Sequence, residues 1–144
     1  MKRAHALTEL SREHHQSLRL AKRTLDTLSR GDPEEIHALC REIAAGFDQE
    51  WERHFADEEA AIFEVTRKMG GRIHQLGEQL VEEHRRMREM ARRMQAGDCS
   101  PLRAFGELLR DHTRLEEREL FPLVEQLFTP EQMTAIARRT GVEP

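Results

Sequence analysis

Four stretches of this chain place apolar residues three and four positions apart, and each stripe carries a histidine where a core residue belongs. The first stripe is Leu7, Leu10, His14, Ala21, Leu25 and Leu28. The second is Ile36, Ile43, Phe47, Trp51, His54, Glu58, Ile62 and Val65. The third is Ile73, Leu76, Leu80, His84, Met87, Ala91 and Met94, and the fourth Phe105, Leu109, His112, Glu116, Leu123 and Leu127. A period of 3.6 makes each stripe one face of an α-helix, and such a face has to be buried against others. Burying an imidazole or a carboxylate costs several kcal/mol unless it is paired or bound to a metal. Six such groups on four core stripes therefore demand a shared partner.

Stop and start signals divide the chain between these stripes. Gly31 closes a first helix, and Asp32-Pro33-Glu34-Glu35 supplies an N-cap, a first-turn proline and two first-turn acids. Gly70-Gly71 and Gly97 end two more helices, Ser100-Pro101 opens a fourth, and Thr129-Pro130-Glu131 opens a short fifth that stops at Gly141. The spacing predicts helices near 7–29, 33–69, 72–96 and 101–127, with Pro122 kinking or ending the fourth. Connections of a few residues force neighbours to run antiparallel. The expected fold class is all-α: an up-down-up-down four-helix bundle with a short C-terminal helix, forming a single domain over residues 1–144.

Composition agrees and excludes several function classes. Charged residues make up 35% and aromatics 5%, with no tyrosine, which favours solvated helices over a sheet. The 23 basic and 27 acidic residues are interspersed, so no face is built for a phosphate backbone and nucleic acid is not an expected partner. No apolar run reaches the roughly 18 residues of a membrane span, and the N-terminus MKRAHALTEL has no signal-peptide apolar core, so a cytoplasmic protein is expected. Cys40 and Cys99 lie far apart with no C-x-x-C pairing, and both read as free thiols.

One pattern is written twice. Residues 54–63 are HFADEEAAIF and residues 112–121 are HTRLEERELF, both H-x-x-x-E-E-x-x-(I/L)-F. A histidine and a glutamate four apart lie about 40° apart around a helix, so both reach one spot. Glu13-His14 precedes the first block and Glu83-His84 the second, as though one helical hairpin were repeated about a two-fold axis. Counting from the turns puts Glu58, His84 and His112 at nearly one level; His14 and His54 fall out of level by about 7–8 Å. The six candidate metal ligands are His14, His54, Glu58, His84, His112 and Glu116. His15, Glu59 and Glu117 are kept as alternative ligands or as groups that support the ligands from behind. His5, His37 and His74 fall off that level, and no catalytic side chain is assigned. Imidazole suits iron, zinc, copper and nickel, and bridging carboxylates suit two ions held close together, so a di-iron centre with an oxo or hydroxo bridge is the expected cofactor.

These residues resemble the hemerythrin-like, or HHE cation-binding, domains. The resemblance runs through Glu13-His14-His15, HFADEE, Glu82-Glu83-His84 and HTRLEE to Leu120-Phe121-Pro122. It implies a four-helix bundle with a non-haem di-iron site whose ligands would be the six residues above. Oxygen-carrying hemerythrins have a second histidine on the third helix, one turn away; here Leu80 and Arg88 stand on either side of His84. The four-His, two-Glu set is closer to proteins associated with repair of damaged iron centres.

The expected function is binding or sensing of a small ligand, O2, NO or peroxide, in oxidative or nitrosative stress or iron-centre repair. An oxidase or iron-handling protein that consumes O2 is the alternative, so whether the chain is an enzyme is left open. A bundle with another metal, or none, acting through protein contacts is the third reading.

Overall fold

The computed structural model describes residues 2–143, which form helices and turns with no strand among them. After a 3₁₀ turn at His5–Leu7, α1 spans Thr8–Arg30 and ends where Gly31 takes a left-handed φ of 76°. The Asp32 side chain accepts from the Glu34 amide at 3.0 Å and Pro33 occupies the first turn, starting α2, which runs over 33–66. Gly71, again left-handed, opens α3 at Gly71–Gln95, and α4 covers 102–127. A reciprocal capping box between Thr129 and Gln132 starts α5, Pro130–Arg139. The four long helices begin and end within three residues of the positions expected from the sequence. No helix among the described residues is long and apolar enough to cross a membrane.

The long helices are not α-helical throughout. α2 contains π-helical turns at Asp48–Glu52 and Glu59–Phe63, and α4 contains one at Glu116–Leu120, where the Phe121 amide bonds to the Glu116 carbonyl five residues back. A π turn adds a residue to the helix and rotates every later side chain. This explains two departures from expectation. Pro122 neither ends nor breaks α4, because it falls at the start of the α-helical segment that follows the π turn. The apolar stripe also shifts: Leu120, Phe121 and Val124 are buried, whereas Leu123 is only partly covered and Leu127 is 46% exposed.

Two apolar clusters form the core, one at each end of the bundle. One gathers Leu7, Leu10, Ile62, Ile73, Leu76, Leu80, Leu120, Phe121 and Ile136. The other gathers Ala21, Ile43, Phe47, Trp51, Phe55, Met87, Phe105 and Leu109. On each long helix the candidate ligands lie between the residues of these clusters, so the polar groups form one layer across the middle. α1 and α4 approach closely beside the second cluster: a Cβ on Gly106 of α4 would lie 2.9 Å from Thr24 Cγ2 of α1.

Cys40 and Cys99 are not free thiols. They are joined in a disulfide with Cα atoms 5.9 Å apart, tying α2 to the α3–α4 turn. Distance along the sequence misleads here, because antiparallel packing returns that turn to the end of the bundle where α2 begins.

Candidate metal centre

The repeated H-x-x-x-E pattern folds as its spacing requires. His54 and Glu58 project from one face of α2, and His112 and Glu116 from one face of α4. α1 contributes His14 and α3 contributes His84. All six are at most 2% exposed. His14 Nε2 lies 3.0 Å from Glu116 Oε1 and 3.5 Å from Glu58 Oε2; His54 Nε2 lies 3.4 Å from Glu58 Oε2. On the other side, His84 Nε2 is 3.1 Å from Glu58 Oε1 and His112 Nε2 is 3.3 Å from Glu116 Oε1. The donor atoms fall into two overlapping groups, His14, His54, Glu58, Glu116 and His84, His112, Glu58, Glu116, each within 4.8 Å of one another. Both glutamates belong to both groups.

His15, on the exposed side of α1, does not reach the cluster. Glu59 and Glu117 do not point into it either: Glu59 bonds His84 Nδ1 at 2.8 Å and Glu117 bonds His14 Nδ1 at 2.6 Å. Glu13 bonds His54 Nδ1 at 2.9 Å, and Glu83 bonds His112 Nδ1 at 2.8 Å. Glu13 and Glu83 were given no role by the sequence reading. Their signal was adjacency: each of these four acids is next in sequence to a cluster residue, about 100° to one side of it around the helix, which aims it at a neighbouring helix. The result is a closed ring in which α1 supports α2, α2 supports α3, α3 supports α4 and α4 supports α1. Behind the ring, Arg53 pairs with Glu13, Arg88 donates to Glu59 at 2.7 and 3.1 Å, Gln79 to Glu83 at 3.0 Å, and Ser11 to Glu117 at 2.8 Å.

This ring dictates what the imidazoles offer inward. A carboxylate only accepts, so in the neutral ring Nδ1 carries the hydrogen and the Nε2 lone pair faces the cluster. Outer carboxylates of this kind orient histidine ligands and raise their basicity. The inner atoms are correspondingly unsatisfied: His14 Nε2, His112 Nε2, Glu58 Oε2 and both Glu116 oxygens have no hydrogen-bond partner. Buried polar atoms of native proteins are rarely left so.

Charge tells the same story. Six carboxylates, Glu13, Glu58, Glu59, Glu83, Glu116 and Glu117, surround the layer, and two of them, Glu13 and Glu59, are ion-paired with an arginine, Arg53 and Arg88. Burial pushes His54 down, but the Glu58 charge and the Glu13 hydrogen bond override it and raise the histidine to about 9. His112 is likewise driven down by burial and lifted to about 9 by Glu116 and Glu83. His14 is raised well above its usual range, against its burial, by Glu116, Glu117 and Glu58. Glu59 is held at about 2, its burial outweighed by His84 and Arg88. The cluster thus draws in positive charge, protons in the absence of anything better. Four imidazole nitrogens and two carboxylates around such a surplus fit a pair of nitrogen- and oxygen-loving cations.

Aromatic rings wall off the layer. Phe55 stacks on His84 at 4.0 Å between centroids, Phe63 meets the same ring edge-on at 5.5 Å, and Phe121 stacks on His14 at 5.2 Å. They set a dry boundary that strengthens every electrostatic contact inside.

Searches of curated proteins and of solved structures return no match. The sequence pattern of the hemerythrin HHE cation-binding domain matches residues 5–124, a span that contains all six cluster residues and all four outer carboxylates. The chain belongs to the hemerythrin HHE cation-binding domain family.

Proposed function

We propose that this chain is a di-iron protein, one iron held by His14 and His54, the other by His84 and His112, with Glu58 and Glu116 shared between them. The observation that carries the reading is the pair of overlapping donor groups with unsatisfied inner atoms and fully engaged outer nitrogens. When bound, iron supplies the capacity to take up and reduce a small ligand of the O2, NO or peroxide class. The protein's part is to hold the imidazoles in one tautomer through the four outer carboxylates, and to keep water out with Phe55, Phe63 and Phe121. Burial of all six ligands favours a ligand of only a few atoms. His14, His54, His84, His112, Glu58 and Glu116 would supply four protein ligands to each iron, and the irons would supply the binding of that ligand.

The Cys40–Cys99 disulfide counts against the expected cytoplasmic setting and favours a compartment that does not keep thiols reduced.

Mixing anaerobically reduced protein with O2 in a stopped-flow spectrometer tests the function. A long-lived adduct spectrum supports ligand binding. Immediate conversion to a ferric product would replace this reading with an oxygen-consuming oxidase, and no oxygen-dependent spectrum would point to a different metal or a purely structural bundle.

A further inference from the structure

The metal layer has an approximate two-fold symmetry that α5 breaks. This helix lies outside the span matched by the family, residues 5–124, and packs against the His5–Leu7 turn leading into α1 and the Glu59–Phe63 turn of α2. Ile136 and Ala137 enter the same apolar cluster as Leu7, Leu10 and Ile62, and His5 Nε2 meets the Glu143 carbonyl at 2.7 Å. α1 and α2 carry His14 and His54, the histidines of one cation position only.

A polar chain completes the connection. Arg139 Nε donates to Asp57 Oδ1 at 2.8 Å, and Arg53 Nη1 donates to Asp57 Oδ2 at 3.1 Å. Arg53 also pairs with Glu13, whose other oxygen bonds His54 Nδ1 at 2.9 Å. Asp57 is 7% exposed and next to Glu58 in sequence, and its carboxylate accepts from Arg53 and Arg139 rather than from a cluster histidine. The corresponding support for His84, Arg88 on Glu59, makes no hydrogen bond to α5 or to the Arg139–Asp57–Arg53 chain, although α5 packs on the turn that carries Glu59.

We propose that α5 is a latch on one of the two cation positions, with Arg139, Asp57 and Arg53 acting as positioning residues that fix Glu13 and through it His54. The inference rests on the two-cation reading above. It predicts that breaking the Arg139–Asp57–Arg53 chain loosens the His14/His54 cation and leaves unchanged the His84/His112 cation, whose hydrogen-bonded support does not pass through that chain.

The test is release of ferrous iron from the loaded full-length protein to an excess of a colour-forming chelator under anaerobic conditions. Asp57→Asn should speed one of the two release phases about tenfold, the lower end of the effect of outer-layer changes on metal affinity, and leave the other unchanged. Arg139→Gln should act on the same phase, and Arg139→Lys should restore part of the loss. Arg88→Gln should speed the other phase, and the Asp57→Asn, Arg88→Gln double variant should speed both. Circular dichroism of each variant separates these effects from loss of helix. Acceleration of both phases by Asp57→Asn alone, or of neither in a folded variant, overturns the latch. A wild-type protein that takes up fewer than two irons instead overturns the two-cation reading before any variant is made.

Discussion

Replacing Glu58 by glutamine perturbs the layer most sharply, because this one side chain belongs to both donor groups. It is fully buried, with Oε1 3.1 Å from His84 Nε2 and Oε2 3.4 and 3.5 Å from His54 and His14 Nε2. Glutamine keeps the volume and removes the charge. Breaking a buried charge pair by deleting one partner costs roughly 3–5 kcal/mol, which corresponds to a loss of cation affinity of more than about a hundredfold. Glu59→Gln changes only groups behind His84, its hydrogen bond to Nδ1 and its ion pair with Arg88. Changes of that kind weaken metal binding by roughly 10- to 100-fold, and here at one position. Competition titration against a chelator of known affinity, with metal per chain counted by plasma mass spectrometry, distinguishes the two. Glu58→Gln should lose both cations together; Glu59→Gln should lose one first. Glu116→Gln and Glu117→Gln should repeat the contrast. Equal losses for Glu58→Gln and Glu59→Gln would refute the division into inner ligands and outer supports.

Three further outcomes follow from the same geometry. His54 and His112, raised to about 9 in the metal-free protein, stabilise it fully below their unfolded value near 6.5, and that stability is lost as pH climbs through 9. Metal-stripped protein should therefore melt at progressively lower temperature between those pH values as it loses up to about 3 kcal/mol of stability per histidine, and a flat profile contradicts the charge argument. Cys40 and Cys99, separated by 59 residues, should resist alkylation until reduced, and Cys40→Ser should lower unfolding free energy in denaturant titrations by about 4 kcal/mol; ready alkylation of both thiols without reductant refutes the link. Gly106→Ala, whose Cβ would lie 2.9 Å from Thr24 Cγ2, should destabilise by about 1–3 kcal/mol in the same titration, and a neutral result would mean that α1 and α4 separate easily there.

The helices were legible because their ends are chemically marked: Gly31, Gly71 and Gly97 take left-handed backbone, and Asp32 and Thr129 cap the helices that follow. The six cluster residues were legible because imidazole and carboxylate on an apolar stripe have no cheap structural explanation. What the stripes hid was the register change in α4. A 3.6-residue period extrapolated past Glu116 selects Leu123 and Leu127, whereas the π turn at Glu116–Leu120 moves burial to Phe121 and Val124. A π turn also follows His54-x-x-x-Glu58, at Glu59–Phe63, so the repeat extends to the backbone, where local propensity has no term for it. The out-of-level His14 and His54 still meet in one layer, and the π turn at Asp48–Glu52 takes up part of that offset by adding a residue to α2 before His54. The outer ring of Glu13, Glu59, Glu83 and Glu117 was partly hidden because each acid serves a histidine on the next helix. Helical periodicity reports which side of a helix a residue occupies, not what it meets there. The disulfide was hidden for the same reason, since it depends on which turns share an end of the bundle.

The central claim is that four histidines and two shared glutamates hold two irons. Metal per chain, measured by plasma mass spectrometry on protein purified without air and followed by absorption spectra before and after oxygen, tests it most directly. The account predicts close to two irons and a charge-transfer band of a bridged ferric pair that grows in air. A single zinc, or a folded protein that takes up no iron when it is offered, would contradict it.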